Sequence, residues 1–243
     1  MKTKNLVELS NNVWMYPYSH QGIQPNIGVI ITEEGTILVD SGNSPIHAEN
    51  IKQALNGIDA PPVKYVIYTH HHWDHTYGGS MFNSIMISHE LCYEQLKINS
   101  ELKWSTEILE EEIRREPLLE TRNKRKMELI NDWDSFEIKL PNITFKDRMM
   151  LHLGSTSLEL KFIGGIHASD SILVKDLKSN ILFVGDCFYP PPIHLRKKED
   201  THSLDILKKL VAEEADLYIH GHGEPADRKE LEDFIYQNEK KHL

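Results

Sequence analysis

Between residues 69 and 76 the chain reads Thr-His-His-His-Trp-Asp-His-Thr, so His70, His72, Asp74 and His75 fall in one short stretch. Imidazole and carboxylate are the ligands that Zn²⁺ and its first-row neighbours take. Histidines two apart in a loop can turn toward one cation, and Asp74 with His75, a step further on, toward a second. The bland alternative is a run of surface histidines or a tag-like tract. A tag sits at a terminus and does not carry Trp73 and Asp74 inside it, so the metal reading is preferred. Three more candidates follow or end apolar strands. His167 comes after Phe162-Ile163-Gly164-Gly165-Ile166, Asp186 after Ile181-Leu182-Phe183-Val184-Gly185, and His222 stands in Ile219-His220-Gly221-His222-Gly223. Each alone is an ordinary turn residue. Together, at strand ends that gather on one rim of a sheet, they supply the ligands a two-metal site still needs, and the neighbouring glycines let backbone come close.

The elements that must position these side chains are legible as alternating patterns. Strands are expected at Val13–Tyr18, Asn26–Thr32 and Thr36–Asp40, with Glu33-Glu34-Gly35 as a hairpin connection. A helix opens at Pro45 and runs to about Leu55, closed by Asn56-Gly57. The apolar run Val63–Tyr68 is a buried strand that leads straight into the histidines. A short strand at Ser84–Ile87 and a helix from about His89 come next. The stretch from Ser105 to Asp132 is crowded with Glu, Arg and Lys and broken by Pro117. It reads as one or two surface helices covering an edge of the fold, with a solvated charged face. Strands return at Met149–Leu153, Ser157–Phe162, Ser171–Val174, Ile181–Val184 and Leu217–Ile219, with helices at Leu204–Leu210 and Ala226–Lys240. Strands with a helix, then more strands with a helix, suit two sheets packed face to face with helices outside.

Composition narrows the function classes. A chain of 243 residues is long enough to bury a core without staples. With 37 acidic against 27 basic side chains the net charge is −10, which disfavours nucleic acid as a partner. Cys92 and Cys187, far apart in apolar surroundings, read as reduced core residues. The N-terminal stretch lacks the apolar run of a signal peptide, and no apolar stretch is long enough to span a bilayer, so the expected location is the cytoplasm and no membrane partner is expected.

The His70–His75 run followed by His167, Asp186 and His222 resembles the metallo-β-lactamase superfamily, whose signature is Thr-His-x-His-x-Asp-His with later His, Asp and His. The match extends in order from Val13 to about Gly223. The resemblance implies an α+β fold, an αββα sandwich of two mixed β-sheets flanked by helices, formed by residues 1–243 as one domain with a charged helical insertion at about 100–135. It implies that His70, His72 and His167 hold one metal, Asp74, His75 and His222 the other, and that Asp186 bridges them. Asp40 corresponds to an aspartate that orients a ligand. His71 occupies a variable slot, and Gly-His-Gly assigns the ligand to His222 rather than His220. The implied cofactor is Zn²⁺, two per chain, with iron or manganese as alternatives. The implied activity is hydrolysis of an ester, lactone, thioester or β-lactam bond in a small molecule, by a monomer or homodimer. The resemblance further implies that Asp74 orients the nucleophile, and Tyr189, three residues after Asp186, is spaced like a tyrosine that hydrogen-bonds the substrate carbonyl in lactonases of the superfamily. Two loops carrying His20 and His194 are candidate pocket walls. A mononuclear-iron persulfide dioxygenase keeps the same ligand pattern, and a phosphodiesterase of the same superfamily is a further alternative.

Overall fold

The computed structural model describes residues 5–240; the first four residues, part of the stretch read for a leader, lie outside it, as do the last three. One sheet places seven strands side by side in chain order: β1 (Val7–Glu8), β2 (Val13–Tyr16), β3 (Ile27–Thr32), β4 (Gly35–Val39), β5 (Val63–Ile67), β6 (Ile85–His89) and β7 (Ile143–Phe145). Pairing is antiparallel from β1 to β4 and parallel from β4 to β7. The second sheet holds β8 (Arg148–Leu153), β9 (Thr156–Phe162), β10 (Ile172–Asp176), β11 (Ile181–Gly185), β12 (Leu217–His220) and β13 (Ala226–Asp227), all antiparallel except β11 with β12. The helices are α1 (Pro45–Asn56), α2 (Trp73–Thr76), α3 (Glu90–Ser100), α4 (Thr106–Arg115), α5 (Glu120–Leu129), α6 (Leu204–Val211) and α7 (Arg228–Glu239).

The period-two alternation of each strand explains the layering. In β3 and β4, Ile30, Ile37 and Val39 turn inward to meet Leu160, Val174, Ile181 and Phe183 of the facing sheet. Their neighbours Val29 and Leu38 turn outward and pack under Ala48 and Ile51 of α1 and Leu96 of α3. On the far side, Leu182 and Val184 of β11 pack under Ile206 and Leu210 of α6 and Leu231 of α7. Two mixed sheets therefore lie face to face with helices outside both. The αββα expectation is met.

The expected elements are present with small shifts at their ends. His89 ends β6 and caps α3, its Nδ1 accepting from Leu91 N. Ala226 belongs to β13, and α7 starts at Arg228 behind an Asp227–Glu230 capping box. The charged stretch forms α4 and α5, separated at Pro117. Its reading as a solvated face needs correction. Glu107, Glu110, Arg114 and Arg115 face water, but Leu109, Asn123 and Lys126 are buried. Cys92 and Cys187 are buried and free. Among the described residues, no helix is long and apolar enough to cross a membrane.

Candidate metal centre

The site lies at the ends of β4, β5, β11 and β12, and Asp40 organises one side of it. Asp40 follows β4 with φ of 68°, a left-handed conformation that aspartate tolerates better than most residues. Its Oδ1 accepts from Thr69 N at 2.7 Å, and its Oδ2 accepts from Thr69 Oγ1 at 2.8 Å and from His75 Nδ1 at 2.7 Å. Having donated to Asp40, the Thr69 hydroxyl accepts from His70 Nδ1 at 3.1 Å. His167 Nδ1 donates to Pro190 O at 2.8 Å. Each of these three rings has its Nδ1 fixed by an oxygen and turns its Nε2 inward.

Those nitrogens converge. His70 Nε2 lies 3.0 Å from His72 Nδ1. Asp186 Oδ2 lies 3.3 Å from His167 Nε2, 3.4 Å from His222 Nε2 and 3.5 Å from His75 Nε2. Asp74 Oδ2 stands 3.0 Å from His222 Nε2 and 3.7 Å from His75 Nε2. Three groups of donor atoms form, each within 4.8 Å: His70, His72 and His167; His70, His75 and Asp186; Asp74, His75 and His222. His75 Nε2 and Asp186 Oδ1 are buried without a hydrogen-bond partner. A buried imidazole nitrogen and a buried carboxylate oxygen left without partners are costly unless a cation satisfies both, so the donor set fits metal ions. Gly221 belongs to the same fit, because a Cβ there would collide with Asp186 Oδ1.

A model of the metallo-β-lactamase superfamily matches residues 20–222. The chain belongs to this superfamily. Among solved structures, a metallo-β-lactamase from Pontibacter korlensis is 20% identical, with 96% of this chain and 97% of that one covered and a TM-score of 0.64. One from Hirschia baltica is also 20% identical over 96% and 97%, with a TM-score of 0.61. The sec-alkyl sulfatase PisA1 is 14% identical; 96% of this chain covers 40% of that one, with a TM-score of 0.65. No curated protein matches the chain. The protein is a hydrolase of the metallo-β-lactamase superfamily whose His and Asp clusters can bind metal.

The electrostatics of this superfamily site separate its histidines. Burial, then the neighbouring rings of His75 and His72, hold His70 well below the usual histidine range. Burial, then His167 and His71, bring His72 to about 3. The other side is dominated by carboxylates. Burial opposes charge on His222, but Asp186 and Asp74 outweigh it and raise its pKa to about 10. His75 is likewise raised, against burial, by Asp40, Asp186 and Asp74. Burial works against ionised Asp74 and Asp186 too, yet the adjacent imidazoles prevail, taking Asp74 to about 2 and Asp186 well below its ordinary value.

Every residue expected to ligate a metal is thus brought into one cluster. His71 is not in it: its backbone N and its Nδ1 both meet the Asp170 carboxylate at 2.8 Å. His220 is turned away, its Nε2 donating to Glu224 O at 2.9 Å and its Nδ1 accepting from the Tyr189 hydroxyl. The Tyr189 oxygen in turn accepts from His222 N at 3.2 Å. A cavity of about 310 Å³ opens on the cluster, lined by His72, Trp73, Asp74, Tyr189, Pro192 and His194 among others. His194 therefore lines the site, whereas His20 is exposed and borders a separate cavity with Arg125. Three residues went unsuspected in the sequence. Asn26 pins the 220–223 loop, its Nδ2 donating to His220 O and Gly223 O. Asp170 holds His71, and Arg122 of α5 reaches the cavity wall. Nothing local marked Asn26 or Arg122; Asp170, three residues after His167, was the one with a nearby signal.

Proposed function

We propose that the protein is a dinuclear zinc hydrolase acting on an ester, lactone, thioester or β-lactam bond of a small molecule. The observation that carries this reading is the convergence of five imidazoles and two carboxylates, with the outer nitrogens of His70, His75 and His167 each fixed by an oxygen. In this reading His70, His72 and His167 hold one ion, Asp74, His75 and His222 the other, and Asp186 reaches both. Bound there, zinc would supply a hydroxide nucleophile at neutral pH and polarise the scissile carbonyl.

The chain's own residues do the rest. Asp74 stays ionised, so it serves as the hydrogen-bond acceptor that orients the nucleophile rather than as an acid. Asp40 and Thr69 keep the His70 and His75 rings from rotating. Tyr189 lines the cavity, but its proton points to His220 and its oxygen holds the His222 backbone N–H. Its role here is to position His222, and a bond to the substrate carbonyl requires that proton to be redirected. Trp73 and Pro192 give the cavity apolar walls beside the reacting centre, which suits a small organic acyl compound.

The test is a screen of zinc-reconstituted protein against esters, lactones, thioesters and β-lactams, with Asp186→Ala alongside. Turnover of at least one class, abolished in Asp186→Ala, is expected. Failure across the panel with two zincs bound would refute the hydrolase assignment. One iron per chain with oxygen consumption on a persulfide would replace it with a dioxygenase.

A further inference from the structure

We infer that Arg122 is a specificity-determining residue whose guanidinium pairs with a carboxylate carried by the substrate. The inference rests on the hydrolase reading for the reaction it serves, but not for the binding it predicts.

Arg122 lines the same cavity as His72, Asp74, His167, Asp186 and His222. It comes from the charged insertion, and it is held there by buried Asn123 and partly exposed Glu112. Its Nε donates to Asn123 Oδ1 at 3.0 Å, and its Nη2 donates to Glu112 Oε2 at 3.2 Å. Asn123 is fully buried and ties α5 to α4, its Nδ2 donating to Leu109 O at 3.1 Å and to Glu112 Oε2 at 2.9 Å. One turn further on, Lys126 anchors α5 over the metal loop. Its Nζ lies 4.8 Å from the Trp104 ring centroid, 5.1 Å from Tyr77 and 5.5 Å from Trp73. Helix α5 is therefore fixed relative to Trp73, the residue between His72 and Asp74.

These contacts occupy one edge of the guanidinium, the edge formed by Nε and Nη2. Among the described residues Nη1 has no hydrogen-bond or ion-pair partner, which leaves the Nη1–Nη2 end available. Two parallel N–H donors on a planar fork match the two oxygens of a carboxylate. Ordering costs little, because Asn123 and Glu112 already hold the group. A purely structural role is a weak account: an Arg122–Glu112 pair with side chains 30% and 33% exposed contributes little to stability. The helix pair is already joined through Asn123 and Lys126. Among the described residues, Arg122 is also the only Lys or Arg lining a cavity whose carboxylates, Asp74 and Asp186, belong to the metal cluster. In a chain of net charge −10, it places a permanent positive charge in the cavity beside the reacting centre.

The experiment compares two 4-nitrophenyl esters of equal chain length, the monoester of glutaric acid, which carries a carboxylate, and the ester of pentanoic acid, which does not. The ratio of their kcat/KM values is measured for zinc-loaded wild type, Arg122→Ala, Arg122→Lys and Glu112→Gln. Arg122→Ala is expected to lower the ratio about 10- to 100-fold, the worth of a charge-assisted hydrogen bond, through KM for the glutarate ester. Arg122→Lys keeps part of the preference, having charge without the fork. Glu112→Gln raises the ratio, because a competing carboxylate is removed while an acceptor oxygen stays. Equal losses on both esters in Arg122→Ala, or an unchanged ratio, would overturn the inference. If wild type turns over neither ester, the hydrolase reading fails for these bonds, and calorimetric binding of glutarate decides. Affinity weakened about 10-fold or more in Arg122→Ala upholds the carboxylate site, and unchanged affinity removes it.

Discussion

Asp40 Oδ2 accepts a hydrogen bond from His75 Nδ1 at 2.7 Å, and the same oxygen accepts from the Thr69 hydroxyl that steadies His70. One buried carboxylate oxygen thereby sets the orientation of two candidate ligands. Asp40→Asn keeps size and tolerates the positive φ at this position, but it replaces the charged acceptor with a neutral amide. Zinc affinity measured by chelator competition is expected to fall about 10- to 100-fold. Undiminished affinity would mean that the Asp40–His75 bond does not tune the site.

Zinc binding is expected to release protons. His222, raised to about 10, and His75, raised by its carboxylates, both carry a proton at neutral pH in the metal-free protein. A cation needs their lone pairs, so about two protons per chain leave as it binds, and affinity climbs with pH below the His222 value. Calorimetry in buffers of differing ionisation enthalpy reads this directly. Binding heats independent of the buffer would contradict it.

His220 and His222 should separate cleanly. His220→Ala removes a ring bonded to Glu224 O and Tyr189, outside the cluster, and should leave metal content near that of wild type. His222→Ala removes a ring within 3.0 Å of Asp74 and 3.4 Å of Asp186, and should lose one equivalent. Metal counting after dialysis is the check. Full content in the His222 variant would reassign the ligand.

Lys126 gives a stability prediction with a definite sign. Burial, then Arg122, lowers its pKa to about 7, whereas an unfolded lysine titrates near ~10.4. Between those values the unfolded chain takes up a proton that the folded chain does not, so the native state loses stability as pH falls toward 7 and loses no more below it. The faces of Trp73, Tyr77 and Trp104 offset part of this penalty. Lys126→Met, which fills the same space, should raise the melting temperature of the metal-free protein most at pH 7 and least near pH 10. A gain that does not vary with pH would show that this ammonium is not the source.

The parts of the site legible in the sequence are those with local form. His70, His72, Asp74 and His75 share one loop, and the strands behind them alternate with period two, so Ile30 and Ile37 face the other sheet as the pattern requires. Asp40 was legible as the end of a strand. What stayed hidden depends on contacts between distant segments. Asn26 acts on His220 and Gly223 near the other end of the chain, and Asp170 acts on His71 across 99 positions. The insertion misled for a related reason. Glu and Arg dominate its composition, and two of its inward residues, Asn123 and Lys126, are themselves polar, so nothing in the sequence showed that they turn in beside the metal loop.

The central claim is that this donor set holds two ions at once. Zinc titrated into metal-free protein, followed by gel filtration and elemental analysis, tests it most directly. The account predicts saturation at two zinc ions per chain in wild type and fewer in Asp186→Ala; saturation of wild type at one ion or none would contradict it.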